Sequence, residues 1–264
     1  MKIAIGIAYC GSGLEGWQSQ PSGNTVQDRL ERALSEIAGE RISATGAGRT
    51  DAGVHASAQV AHFETSRARP ESAWVRGANS LLPETIAVQW AAPVAEEFHA
   101  RYSAMSRSYR YLLYNHPVRP ALFAGRTGWF HLPLDVASMR KAAQHLLGEH
   151  DFSSFRSAEC QAKSPVRAIE RAEIRACGLY VVFDFTANAF LHHMVRNIVG
   201  CLVYIGKGNY PPQWLAELID ARDRRLAAPT FPAEGLYLSA VRYDARWSLP
   251  AFPNMMPFGA GIER

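Results

Sequence analysis

Disulfide frameworks, membrane spans and an excess of acid are all missing from this chain. Its 264 residues include four cysteines, Cys10, Cys160, Cys177 and Cys201, and no two form a C-x-x-C pair. A chain this long builds a core without staples, so reduced thiols in a cytoplasmic protein are the expectation. No apolar run reaches the roughly 18 residues of a membrane-spanning helix. The best run, Met194 to Ile205, is interrupted by Arg196 and Asn197. The opening Met1 to Ile7 is too short and too alternating for a signal peptide. Glycine and proline, 20 and 15 residues, are too few for a collagen-like or low-complexity chain. A hydrophobic share of 48% against 20% charged excludes disorder as the global state. The net charge of +4 admits a nucleic-acid partner without requiring one. Composition names no function.

Periodicity is what the chain does have. Lys2 to Tyr9 alternates, with Ile3, Ile5, Ile7 and Tyr9 on one face, the pattern of a half-buried strand. Val26, Leu30, Ala33, Leu34 and Ile37 mark a helix, capped by Asn24 or Thr25 and ended by Gly39. Ala58 to Glu64, a helix after Pro70, and a strand Ile86 to Ala92 complete a β-α-β-α-β first half. The segment between Thr45 and Ser57 reads as irregular. In the second half, Ser108 to Tyr114 is a strand, followed by a basic, aromatic loop from Asn115 to Leu132. Asp135 caps a helix. Val166 to Ala176 and Tyr180 to Thr186 form a hairpin, Leu191 to Ile205 and Pro212 to Asp220 are helices, and Gly235 to Tyr243 is the last strand. The pattern predicts two α+β layers, each a sheet with helices on one face. The tail after Pro250 is expected to wrap the surface.

The sharpest local signal is Gly46-Ala47-Gly48-Arg49-Thr50-Asp51-Ala52-Gly53-Val54-His55-Ala56. Its three glycines permit tight turns and close approach of a ligand. Arg49 and Asp51 would present a carboxylate beside a cation. A glycine-rich turn with a surface ion pair is the plain alternative, and on the residues alone both stay open. The loop is neither a Walker A loop, since no Gly-Lys-Ser/Thr follows, nor a dinucleotide fingerprint, since the third glycine is out of register.

The stretch Gly48 to Ala56 closely resembles the signature of the tRNA pseudouridine synthase A (TruA) family. The resemblance continues through Gly16-Trp17-Gln18-x-Gln20, Thr25-Val26-Gln27-x-x-Leu30-Glu31 and Arg107-x-Tyr109-Arg110-Tyr111. It reaches Phe190-Leu191-x-x-Met194-Val195-Arg196-Asn197-Ile198-Val199-Gly200. The matches keep the family order from Tyr9 to Tyr243. One departure is Cys10, where the family usually has Asp.

The resemblance implies an isomerase that detaches uracil from ribose through N1, turns it and reattaches it through C5, at the conventional tRNA positions 38, 39 and 40. By this resemblance Asp51 is the catalytic aspartate, attacking covalently or taking a proton from C2′. Arg196 is the cation that keeps it charged, a solvated helix arginine being the alternative. Tyr109 stacks on the extruded base, and Arg49 enters the place the base leaves. The resemblance further implies two ferredoxin-like halves forming a continuous antiparallel central sheet, with helices on one side and a catalytic cleft between the halves. The halves are expected at residues 1–102 and 103–246, with a tail at 247–264. It implies no cofactor, and a homodimer holding the anticodon stem-loop and elbow of one tRNA. His55, His62, His192 and His193 show no metal-ligand spacing, since neighbouring histidines on a helix point about 100° apart. The arginines and aromatics of 115–131 suit RNA backbone, with packing on their own domain as the alternative. Two rivals remain: a non-catalytic RNA-binding protein, and a hydrolase using Asp51 and His55.

Overall fold

The computed structural model describes residues 1–253, and residues 254–264, within the expected tail, lie outside it. It divides into two compact units, one of residues 1–105 with 237–253 and one of 106–236. The strand near residue 240 therefore lies with the first unit and not with the stretch it follows in sequence.

The first unit holds β1 (Lys2–Tyr9), α1 (Val26–Ala38), β2 (Ala44–Gly46), β3 (His55–Glu64), α2 (Ala78–Leu81) and β4 (Ile86–Val94). β1 runs antiparallel between β3 and β4, and β2 pairs with the far end of β3. Residues 237 and 238 pair parallel with His55 and Ala56 at the near end. Thr25 caps α1 by accepting the Asp28 amide, and Gly39 ends it at a φ of 65°. A π-helical turn over Ala73–Gly77 precedes α2 and sets Trp74 against Phe63, with ring centroids 5.1 Å apart. Ile3 sits opposite Phe63 in the β1–β3 register, so the isoleucines of β1 share that helix-covered face.

β1 is not half-buried as its alternation suggests. Ala4 on its other face is also fully buried. The segment after residue 243 covers that face, with Trp247 against Phe98 at 5.3 Å and Phe252 against Trp90 at 5.4 Å. Small side chains at Ala4 and Gly6 leave the room for it.

The second unit holds all but the first two residues of β5 (Ala104–Asn115), and with it β6 (Gly128–Phe130), α3 (Val136–Ala143), β7 (Gly148–Asp151), β8 (Val166–Cys177), β9 (Tyr180–Ala187), α4 (Met194–Gly206) and α5 (Trp214–Ala221). β10 (Leu236–Tyr243) begins at its end and runs into the first unit. The order β5-β9-β8-β7 is antiparallel throughout, and β6 lies parallel to the end of β5. α3 packs on α4 and β8, and α4 is buried on nearly all sides, as its apolar composition requires. Its one deeply buried polar side chain, Asn197, is fully engaged: it donates to the Phe155 carbonyl and accepts from Thr230 and Arg224. Each unit is thus α+β, with a mostly antiparallel sheet.

α4 starts at Met194, three residues later than its pattern predicts. His193 precedes it at a φ of 62°, so the two histidines do not diverge around a helix. Their ring centroids are 4.0 Å apart.

Candidate active site

The loop that carries Arg49 and Asp51 joins β2 to β3, and neighbouring segments of the first unit hold it on several sides. Trp17 donates its amide to the Thr50 carbonyl at 3.0 Å, and Gly53 donates to the Leu14 carbonyl at 3.3 Å. Gly16 takes a φ of 87° where a side chain would run into the Thr50 carbonyl. Within the loop, the Val54 amide donates to the Asp51 carbonyl at 3.1 Å, and Gly53 sits at a φ of 79°. Asp51 therefore occupies the first position of a tight turn whose third residue, Gly53, takes the left-handed backbone that glycine adopts without strain.

A buried polar cluster fixes the residues before it. Gln59, fully buried in β3, accepts the Gly48 amide at 3.2 Å and donates to the Gly48 carbonyl at 2.7 Å. Its carboxamide behaves as a short extra strand. The Tyr9 and Thr50 hydroxyls share a hydrogen bond of 2.8 Å, and Gln59 reaches the Tyr9 oxygen at 3.5 Å. Burial holds the Tyr9 phenol well above its ordinary range, so it is a neutral hydroxyl at any working pH. These bonds aim Thr50 inward. Arg49 before it is exposed, and Asp51 after it is half-buried.

The motif residues around the first helix serve the same loop. Gln27 is buried and accepts the Ser19 amide and the Gln18 carboxamide while donating to Ala44. Glu31 accepts the Ala44 amide at 2.8 Å. Together they anchor β2, from which the loop departs.

His55 is 1% exposed. Its Nδ1 accepts the Gly11 amide at 3.0 Å, and its ring stacks on Tyr237 at 4.5 Å. A ring held this way braces the loop from below. It lacks the access to solvent and substrate that a hydrolytic base paired with Asp51 needs.

Tyr109 and Arg196 belong to the second unit. Tyr109 lies on β5 opposite Phe185, and the Phe190 ring meets it edge-on at 5.1 Å. It is 9% exposed, whereas Tyr111 is fully buried and donates to the Pro232 carbonyl at 2.9 Å. The two tyrosines of the R-x-Y-R-Y motif thus differ: the second is core. Between them Arg110 forms a two-pronged pair with Asp184, at 2.7 and 3.1 Å, and Arg175 reaches the same carboxylate at 3.2 Å. Arg196 projects from the first turn of α4, half-buried, and donates through Nε to the Phe231 carbonyl at 2.9 Å. Phe231 returns its amide to the Arg196 carbonyl, so the guanidinium is oriented by a segment that is itself tied to the helix.

The positioning residues Tyr9, Thr50 and Gln59 escape a reading by pattern. The signal that marks them is a glutamine set between Ala58 and Val60 in the strand H-A-S-A-Q-V-A-H-F.

A family model described as tRNA pseudouridine synthase matches residues 6–103 and 142–244. The protein named tRNA pseudouridine synthase A of Dechloromonas aromatica is 61% identical over 250 residues, 95% of this chain and 95% of its own length. That of Thiobacillus denitrificans is 58% identical over 258 residues, 98% of this chain and 99% of its own. That of Burkholderia thailandensis is 58% identical over 250 residues, 95% and 93% of the two lengths.

Proposed function

The chain belongs to the tRNA pseudouridine synthase family and is an isomerase acting on tRNA, and we propose that its target is uridine at the conventional positions 38, 39 and 40 of the anticodon stem-loop. Asp51 is the reacting carboxylate in this reading. The N1–C1′ bond of the uridine breaks, the uracil turns, C5 bonds to C1′, the C5 proton leaves to solvent and N1 takes up another. The exchange is redox-neutral, so the reading assigns no cofactor. An ionised carboxylate serves it either by attack or by removing the C2′ proton.

The observation that carries the reading is the bracing of the Asp51 loop. Backbone bonds from Trp17 and Gly53 and the Gln59–Tyr9–Thr50 cluster hold one carboxylate at the head of a turn, and electrostatic catalysis depends on such preorganisation. A merely solvated turn has no use for a buried clamp of this kind. Arg49, exposed two residues away, is suited to fill the stack after the base is extruded. The family resemblance assigns Tyr109 and Arg196 to the same uridine. Tyr109 offers a ring set by Phe190, and Arg196 a cation set by Phe231. The reading takes the enzyme as a cytoplasmic homodimer of paired ferredoxin-like halves. Among the described residues no helix is long and apolar enough to cross a membrane.

The test is tritium release from tRNA transcript labelled at uridine C5. Wild type releases tritium, and Asp51→Asn loses roughly ten-thousandfold in turnover while still binding tRNA. Binding without release by wild type would reduce the protein to an RNA-binding module. Wild-type turnover by Asp51→Asn would remove the aspartate from its role.

A further inference from the structure

Residues Asn188 to His193 connect β9 to α4. Phe190 within them meets the Tyr109 ring, and Arg196 stands in the first turn of the helix that follows. Where the chain leaves the sheet therefore bears on both of these side chains. The departure falls at Asn188. Its backbone amide donates to the Ala168 carbonyl at 3.2 Å, and its Oδ1 accepts the Ala168 amide at 3.1 Å. Both backbone groups of Ala168 on β8 are thus met by one residue, with the carboxamide oxygen in the place a strand carbonyl would take. The Asn188 carbonyl is left to accept Nη1 of Arg107, from β5, at 3.1 Å. The same Oδ1 also accepts the Ala189 amide at 2.7 Å, which turns the chain over its own side chain.

The far end of the connection is held by a different segment. The Ser157 amide donates to the His192 carbonyl at 3.1 Å, and the His192 amide donates to Cys160 Sγ at 3.5 Å. His193 then takes its left-handed φ of 62°, which a residue with a side chain keeps only where its surroundings enforce it. Burial does not hold the near end, since Asn188 is exposed and Ala189 is short. The two bonds to the Asn188 oxygen do. An exposed asparagine that gives one oxygen to two backbone amides acts on the path of the chain. Without that oxygen the Ala168 and Ala189 amides turn to water, which fixes no direction. The end of β9 is then free to peel from β8, and Phe190 shifts against Tyr109. A reacting group misplaced by about 1 Å can lose roughly a hundredfold in rate.

We propose that Asn188 is a positioning residue for the isomerisation: it fixes where the chain leaves β9, and through Phe190 it holds the Tyr109 ring in place against the uracil. The proposal rests on the reading of tRNA uridine as substrate and of Tyr109 as its platform. Tritium release, and fluorine NMR of the full chain carrying 3-fluorotyrosine, test it together. Asn188→Ala is expected to lower kcat about tenfold at unchanged KM for tRNA, and to move the Tyr109 resonance, which is identified by its loss in Tyr109→Phe. Asn188→Asp, which keeps the oxygen, is expected to restore both. Phe190→Leu gives the same fall, and Asn188→Ala adds nothing to it, because the two act through one ring. Should Asn188→Ala fail to fold, Asn188→Gln, which carries the oxygen one methylene further out, takes its place in each comparison. A wild-type kcat in these variants overturns the proposal, as does a Tyr109 resonance that does not move. So does a fall that Asn188→Asp shares, or one that adds in full to that of Phe190→Leu. If wild type releases no tritium, the isomerase reading fails, and the Tyr109 resonance alone decides the positioning. If tritium is released while the resonance stays put in Asn188→Ala, the positioning fails and the isomerase reading stands.

Discussion

Gln59 shows how much one buried side chain decides. It satisfies both backbone groups of Gly48. Gln59→Leu strands them in the interior, at a cost of about 1–3 kcal/mol, and also loosens the turn that carries Asp51. The expected outcome is a lower melting temperature together with a fall in kcat at nearly constant KM, read from denaturation and tritium release. Tyr109→Phe keeps the ring on Phe190 and removes the hydroxyl. If the tyrosine only stacks, turnover survives; if its hydroxyl moves the C5 proton, kcat falls while tRNA affinity does not. Asp184 carries a different burden, since it is 6% exposed and receives Arg110 and Arg175. Asp184→Ala leaves Arg110 buried without its carboxylate and is expected to destabilise the fold by roughly 3–5 kcal/mol in urea unfolding. None of these three roles shows in the residue types alone. A glutamine, a tyrosine and an aspartate become a clamp, a platform and a strand staple only when register places their partners, and partners 9 to 81 residues away leave no local trace.

The elements divide by the range of the forces that make them. α1 was legible because its cap, apolar stripe and terminal glycine lie within 15 residues, and each is used as the pattern suggests. Thr25→Ala removes the cap and is expected to lower stability by about 1 kcal/mol, measured by thermal melting. The long strands were legible by alternation and by the turn at Cys177-Gly178. β2, β6 and β7 were not, being three or four residues long and strands only through their neighbours. The π-helical turn at 73–77 is likewise a response to packing, where Gly77 admits the Ile37 side chain. In the candidate site, the resemblance drew attention to Asp51 and its loop, whereas the hold of Phe231 on Arg196 came only with the fold. α4 adds a constraint that its sequence states without explaining. A methyl group at Gly200 would overlap the Pro229 carbonyl oxygen. Gly200→Ala is therefore expected to cost about 1–3 kcal/mol and to displace the segment that orients Arg196.

For the whole chain, His62 is one group through which pH acts on stability. Burial, with repulsion from His99 and Lys2, lowers its pKa to about 4, and its Nδ1 accepts the Ala100 amide. The unfolded chain protonates near the ordinary value of about 6.5, so between the two values it binds more protons than the folded one. The stability is whole above about 6.5 and drains away as pH falls toward 4, by roughly 2–3 kcal/mol. Urea titrations across that window are expected to show the slope in wild type and a shallower one in His62→Gln, because burial also holds the neighbouring His99 below its ordinary value. A second consequence follows from the first unit being made of two stretches of chain. Residues 237–253 supply its last strand and the cover over Ala4, Trp90 and Phe98, yet they emerge from the ribosome after the whole of 106–236. During translation the middle portion can finish folding while the earlier portion waits with one sheet face bare. Reaching the tRNA-modifying state is then gated by the final strand, and a stalled nascent chain ending before residue 237 would expose that face to chaperones.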